Sequence, residues 1–389
     1  MSFERSVQRP YRRGDAGPAV AEIRAKLARL GLLEGGADQL ADGGSAYFDA
    51  ETDRAVRTFQ QQRGLTVDGV VGVTTYRTLD EARWRIGDRI LFFVPARLQA
   101  GDDVATLQQR LLDMGFDCGR VDGLFGTETQ LALREFQRNV GIPADGTCGP
   151  TTFKALSQLS RTVVGGRPHA MRESEAINRA GPTLSGKLVI LDPGHGGGDA
   201  GHGHTLNEGA LVHDLASRIE GRLTATGSSA FLTRGTENSL DEIDRANFAN
   251  AAGADLVISL HVDAHTNPEA AGCATFYYGN DRLGHHSVVG AHFADLVQRE
   301  VCARTDLRDC RSHPKTWDLL RRTRMPAVRI ELGYLTNPGD AARLSDPAFR
   351  DTLAEAVVAA VQRLYLPPGE DADTGLLRIP ALGSASGAR

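Results

Sequence analysis

The sequence predicts a multidomain protein: two small three-helix modules followed by a larger α/β domain with a largely parallel sheet. The first observation is an internal repeat within the first 160 residues. The second is a change at Lys187, after which short β-branched runs alternate with helical stretches. Strands that alternate with helices are typical of parallel sheets. The length of 389 residues agrees, because an average domain has roughly 100–200 residues.

The two modules are related by constant offsets along the chain. Apolar residues at helical spacing precede Gly31, and the same pattern precedes Gly115 at an offset of 84. A later set of residues recurs at an offset of 77, so the loop between the two sets carries a seven-residue insertion in the first copy. Each module is expected to contain two main helices and a short third helix. The later set is Phe48, Thr52, Phe59, Gln60, Gly64, Asp68, Gly69, Gly72 and Thr74, which recur as Phe125, Thr129, Phe136, Gln137, Gly141, Asp145, Gly146, Gly149 and Thr151.

Composition sets the expected domain boundaries. Residues 12–82 and 97–160 form the two repeats, and 161–186 read as a linker because they contain Gly-Gly, Arg-Pro and Gly-Pro steps. Residues 187–366 form the α/β domain. From 367 to 389 the chain is rich in Gly, Ser, Ala and Asp, which predicts a disordered tail.

Charge and apolar content exclude several classes of protein. A net charge of −5 gives no reason to expect nucleic acid as a partner. No apolar run approaches the roughly 20 residues that a membrane span needs, and the N-terminus lacks the features of a secretory signal. The five cysteines form no CxxC pair; Cys302 and Cys310 could pair, but reduced thiols are expected. We therefore expect a cytoplasmic protein.

Four residues at the ends of predicted elements carry the expected chemistry. His195 follows the strand KLVILD, Glu208 opens a helix, His261 ends the strand DLVISLH, and Glu331 lies near the end of the last strand. Ligands of open α/β sheets bind at the carboxyl ends of strands. Two imidazoles and one carboxylate can hold a catalytic Zn²⁺ with one position open, and a further carboxylate can accept a proton. Each residue alone has an ordinary structural explanation, whereas the four together favour a metal site.

Other histidines lie near these residues in the sequence. They could bind a second metal or line the entrance, but solvent-exposed positions are the simpler interpretation, because GHGH lies in a Gly-rich loop. They are His202, His204, His213 and His265.

The motifs of the α/β domain, from DPGHGG through NEG and SLHVDA to PAVRIELGYLTNP, resemble the amidase type 3 family of N-acetylmuramoyl-L-alanine amidases. The resemblance implies one Zn²⁺ per chain, held by His195, Glu208 and His261, with Glu331 as general base. It also implies hydrolysis of the amide between N-acetylmuramic acid and L-alanine. Two residues depart from the family pattern: Asp263 stands where Asn is common, and His213 stands where an apolar residue or Asn is usual. Neither departure removes a ligand.

The FQ…G…DG…G…T signature of the repeats resembles the peptidoglycan-binding domain type 1. This resemblance implies peptidoglycan or its precursors as a ligand. The first copy departs from the pattern by its insertion and by Arg24, where Gln is usual. We therefore expect the second repeat to bind more tightly.

Two cellular roles remain open from the sequence. The protein either leaves the cell by a leaderless route and cuts the wall, or it is a cytoplasmic, phosphorylation-dependent regulator of peptidoglycan precursor synthesis. Thr374 lies in the tail segment GEDADTGLL with Leu377 at the +3 position. Forkhead-associated (FHA) domains read phosphothreonine with such a neighbour. An FHA-domain protein, precursor enzymes and the export machinery are the expected partners in that role.

Overall fold

The computed structural model describes residues 9–34, 46–95, 97–159, 168–201, 206–280, 284–367 and 371. The chain divides into two compact units near Arg172, with residues 280–285 grouped with the first. Thr374, His202 and His204 lie outside the described residues, so their roles stay predictions. Among the described helices, none combines the length and apolar character needed to cross a membrane.

The first unit contains the two helical repeats. In each repeat the described residues form three helices, and Phe48 and Phe59 in the first core occupy the places of Phe125 and Phe136 in the second. All four rings are fully buried, so the offset of 77 residues corresponds to equivalent packing. The helices are α1 (Pro18–Arg29), α2 (Ala50–Gln62) and α3 (Val73–Glu81), then α4 (Asp102–Asp113), α5 (Thr127–Asn139) and α6 (Pro150–Leu159).

In the second repeat, the buried side chain of Gln137 forms hydrogen bonds with the Asp-Gly turn that precedes the third helix. Gln137 Nε2 donates to Asp145 Oδ1 (2.8 Å), to the carbonyl of Thr147 (3.0 Å) and to Thr152 Oγ1 (3.1 Å). Its Oε1 accepts from the backbone N–H of Gly146 at 2.8 Å. One side chain therefore binds both backbone and side-chain groups of the turn.

The same glutamine arrangement occurs at two further turns. Gln60 makes this set of contacts with residues 68–75, and Gln108 makes it with residues 122–129. All three turns have the sequence D-G-x-x-G-x-x-T. The conserved spacing within the chain thus specifies a hydrogen-bonded turn.

The second unit is an α/β domain with a mixed, seven-stranded sheet. Helix α7 (Pro168–Arg179) spans the division between the units. The helices of the second unit are α8 (Glu208–Ala225), α9 (Glu242–Ala252), α10 (Val288–Arg304), α11 (Asp318–Arg322), α12 (Pro338–Ser345) and α13 (Pro347–Leu364). Its strands are β1 (Leu188–Pro193), β2 (Ser229–Leu232), β3 (Leu256–Asp263), β4 (Cys273–Asn280), β5 (His285–His286), β6 (Asp309–Lys315) and β7 (Ala327–Tyr334).

Strand order is β2-β1-β3-β7-β4-β5, and β6 also pairs with β4. The pairs β1–β2, β1–β3, β3–β7 and β4–β6 are parallel, whereas β4 runs antiparallel to β7. Buried residues of α8, α10 and α13 pack on one face of the sheet, and those of α9 and α11 pack on the other. The carboxyl ends of β1, β3 and β7 therefore lie side by side at one edge.

Candidate metal centre

Three predicted side chains converge where β1, β3 and α8 meet. His195 follows β1, His261 lies in β3, and Glu208 is the first residue of α8, behind the N-cap Asn207. One ligand atom from each lies within 4.8 Å of the others. His195 Nε2 and His261 Nδ1 each lie 3.3 Å from Oε1 of Glu208. The arrangement can hold a metal ion.

The distances fit the edge of a zinc tetrahedron. Bonds of about 2.0–2.2 Å from Zn²⁺ to nitrogen and oxygen place neighbouring ligand atoms about 3.3–3.5 Å apart. The buried Nδ1 of His261 faces Oε1 of Glu208 but forms no well-aligned hydrogen bond with the described residues. Burial lowers the pKa of His261 to about 3, so its ring is neutral at neutral pH, as a metal ligand must be. The donor set and its geometry therefore fit zinc.

The loop that carries His195 is held by its backbone carbonyls and by a carboxylate. His195 has a left-handed φ of 56°, which few non-glycine residues adopt. Arg245 Nη2 donates to the carbonyl of His195 (2.8 Å), and Arg234 Nη2 donates to that of Gly194 (2.7 Å). Asp199 Oδ2 lies 2.9 Å from Nδ1 of His195, which leaves Nε2 facing Glu208. Such outer contacts fix the tautomer and ring orientation of a metal-binding histidine.

A buried ion pair between Asp192 and Arg245 lies next to the loop that carries His195. Asp192 is fully buried and pairs with Arg245 Nη1 at 2.6 Å. Thr233 Oγ1 and Ser259 Oγ donate to its two oxygens at 2.6 and 2.7 Å. Burial alone would raise the pKa of Asp192, but Arg245 and these hydroxyls hold it below its ordinary value. Asp192 is therefore a carboxylate that fixes Arg245 beneath the metal centre.

Glu331 lies beside the three ligands. On the parallel strands β3 and β7, His261 and Glu331 are directly paired. Burial raises the pKa of Glu331 to about 7, although the neighbouring Arg329 opposes this shift. Its Oε2 is buried and has no hydrogen-bond partner among the described residues. A carboxylate in this state can exchange a proton near neutral pH.

The chain is similar to known proteins over most of its length. A family model described as N-acetylmuramoyl-L-alanine amidase matches residues 189–363, and one described as a peptidoglycan binding domain matches residues 16–79 and 100–156. The chain is 50% identical over 370 residues to N-acetylmuramoyl-L-alanine amidase CwlM of Mycobacterium tuberculosis, which covers 93% of this chain and 91% of that protein. The chain belongs to the N-acetylmuramoyl-L-alanine amidase family.

Other relatives match about half of the chain. An uncharacterized cell wall amidase of Bacillus anthracis is 34% identical over 193 residues, which is 47% of this chain and 36% of that protein. A crystal structure of N-acetylmuramoyl-L-alanine amidase from Clostridium difficile 630 is 28% identical, with a TM-score of 0.43, and covers 46% of this chain and 97% of that chain.

Among the described residues, the other predicted histidines do not join the metal group. His213 lies on α8, where burial lowers its pKa. The Nδ1 atom of His265 accepts a hydrogen bond from the backbone N–H of Asn267 at 3.0 Å. Neither residue therefore belongs to a second group of metal ligands among the described residues.

Arg24 in the first repeat takes over contacts that Gln108 makes in the second. Its Nη1 donates to the hydroxyl of Thr52 and to Asp49 Oδ1 (3.0 Å), while Gln108 donates to the equivalent Thr129. The two side chains therefore share the contact to the equivalent threonine. The seven-residue insertion lies in the region of residues 35–45, outside the described residues.

The sequence reasoning missed Arg329. This residue lies in the middle of the apolar strand AVRIEL, two residues before Glu331. Residues two apart on a strand face the same side, so this spacing indicates a cation beside the carboxylate.

Proposed function

We propose that the protein hydrolyses the amide between the lactyl group of N-acetylmuramic acid and L-alanine in peptidoglycan or its fragments. One zinc ion per chain would be held by His195, Glu208 and His261. Family membership supports the reaction. The proposal for zinc is supported above all by the two 3.3 Å separations around Glu208 Oε1, which match neighbouring ligands of a tetrahedral ion.

Zinc in a site of this type supplies Lewis acidity to the hydrolysis of an amide. The chain's own residues supply positioning and proton transfer. Oε2 of Glu331 would accept a proton from the attacking water and then donate it to the leaving amine. Asp199 holds His195 by its other ring nitrogen, and Arg245 holds the backbone of the same loop. These contacts would fix the orientation of His195 during the reaction.

The repeats would keep the domain on its substrate. We propose that both bind peptidoglycan or its precursors, because each contains the complete three-helix core and the glutamine-held turn before its third helix. They carry no metal group among their described residues. Their proposed role is therefore retention of the substrate.

Metal content and activity of three variants test the amidase proposal. His195→Ala should lose both zinc and hydrolysis of a muropeptide, whereas Glu331→Gln should keep one zinc and lose activity by about 10²-fold or more. His213→Ala serves as the control, because it removes a histidine of the same domain from outside the metal group, and should keep both. Zinc is measured by elemental analysis and activity by released peptide. Stoichiometric zinc in His195→Ala would contradict the ligand assignment, and full activity in Glu331→Gln would contradict the base.

A further inference from the structure

Arg329 binds one oxygen of Glu331 and leaves the other without a partner. Both side chains project from the same face of β7, because they are two residues apart. Arg329 Nε donates to Oε1 of Glu331 at 2.8 Å, and Nη2 lies 2.7 Å from the same oxygen. An arginine commonly binds a carboxylate through both of its oxygens. Here both nitrogens contact Oε1, and Oε2 has no hydrogen-bond partner among the described residues.

The guanidinium group of Arg329 is itself fixed from two other directions. Its Nη1 lies 3.2 Å from Oε1 of Glu242, the first residue of α9. The ring of Trp317 lies against it, with 4.5 Å between the guanidinium carbon and the ring centroid. A planar cation held by two carboxylates and an aromatic face has little rotational freedom. Because the guanidinium group is fixed, it also fixes the position of the Glu331 oxygen that it binds.

A general base needs one oxygen directed at the proton it removes. We propose that Arg329 is a positioning residue for the hydrolysis: it holds Oε1 of Glu331 and so directs Oε2 at the attacking water. This inference rests on the proposed function. If both oxygens of Glu331 were bound, the base would be occupied; if neither were, the buried side chain would sample several rotamers.

The chain offers a closely matched control. Arg322 pairs with Asp318 at 3.0 Å, and the side chains of this pair are 18% and 9% exposed, the same values as for Arg329 and Glu331. Arg329→Met and Arg322→Met therefore remove an arginine of equal exposure from an ion pair of equal exposure. Only the first contacts the proposed base.

Steady-state kinetics of the zinc-loaded variants provide the first readout. Arg329→Met should keep one zinc and lose about tenfold or more in kcat with little change in KM, because the group acts on the transition state. Arg329→Lys should recover part of the loss, and Arg322→Met should match the wild type. In a Glu331→Gln background Arg329→Met should cause no further loss. A kcat equal to that of Arg322→Met, or an equal loss without Glu331, would overturn the proposal.

A crystal structure of metal-free Arg329→Met gives a readout that needs no activity. The carboxylate of Glu331 should adopt another rotamer or more than one, while in Arg322→Met it should stay as described. An unchanged Glu331 in Arg329→Met would refute the positioning role. If the wild-type protein with zinc hydrolyses no muropeptide, the proposed reaction fails, and the crystal structures still decide whether Arg329 orients Glu331.

Discussion

The substitution Gly194→Ala would test the proposed metal centre without removing any of its proposed ligands. A Cβ atom at this position would lie 2.2 Å from Cε1 of His261 and 2.5 Å from each ring nitrogen. The loop has little freedom to retreat, because the backbone N–H of Gly194 donates to the carbonyl of Leu260 at 2.9 Å. Arg234 also holds its carbonyl. In Gly194→Ala the imidazole of His261 would therefore have to move.

The size of the movement sets the expected effect. Carbon atoms in contact lie about 3.5–4.0 Å apart, so the ring must shift by about 1 Å or more. A zinc site tolerates ligand displacements of about 0.2 Å. We expect zinc affinity to fall at least about tenfold, the scale seen when support of a ligand is lost. The metal-free protein should lose about 1–3 kcal/mol of unfolding free energy through overpacking.

Gly198→Ala is the control from the same loop. A Cβ at Gly198 meets nothing within 4 Å, so this variant should match the wild type in affinity and lie within about 0.5 kcal/mol in stability. Zinc affinity is measured by competition with a chelator, and stability by urea unfolding with EDTA present. The reasoning is refuted if Gly194→Ala binds zinc as tightly as Gly198→Ala.

Two further predictions concern residues around the proposed sites. Asp199→Asn should weaken zinc binding by about 10- to 100-fold, because the amide holds His195 less firmly than a carboxylate does; an unchanged dissociation constant in chelator competition would contradict this. Arg24→Gln should cost the first repeat no more than about 1 kcal/mol, because the Asp49 side chain in the lost ion pair is 42% exposed. Adding Asp49→Gly should recover part of that cost, and strictly additive urea-unfolding energies would show that the two residues are independent.

The two histidines of the proposed metal centre were predictable because they lie at strand ends. Apolar runs predicted β1 and β3, and the carboxyl ends of parallel neighbours lie at one edge. His195 and His261 were thereby expected near each other, and Glu208 joined them through the family resemblance. The residues that hold the loop were not predicted, since Asp192 and Arg234 act through contacts to residues 40 or more positions away along the chain.

Two parts of the fold were not predicted from the sequence. Strand β4 runs antiparallel to β7, and local sequence carries no information on the direction of the neighbouring strand. Helix α7 lies within 161–186, the range that was expected to be a linker. Pro168 belongs to the Arg-Pro step that contributed to the linker prediction, but it is the first residue of the helix. At that position the fixed φ of proline favours helix formation.

Arg24 shows why a departure from a motif has to be judged by contacts. Gln108 donates to the carbonyl of Leu124 and to Thr129, and Arg24 reaches the corresponding carbonyl and hydroxyl in the first repeat. The extra charge is balanced by Asp49, which stands where the second repeat has Gly126 and also caps α2. Asp49 therefore both pairs with the added cation and caps the start of α2. Arg24 has no oxygen that could accept a hydrogen bond, whereas Gln108 Oε1 accepts one from the backbone N–H of Gly123. Both Arg24 and the inserted loop therefore distinguish the first repeat from the second.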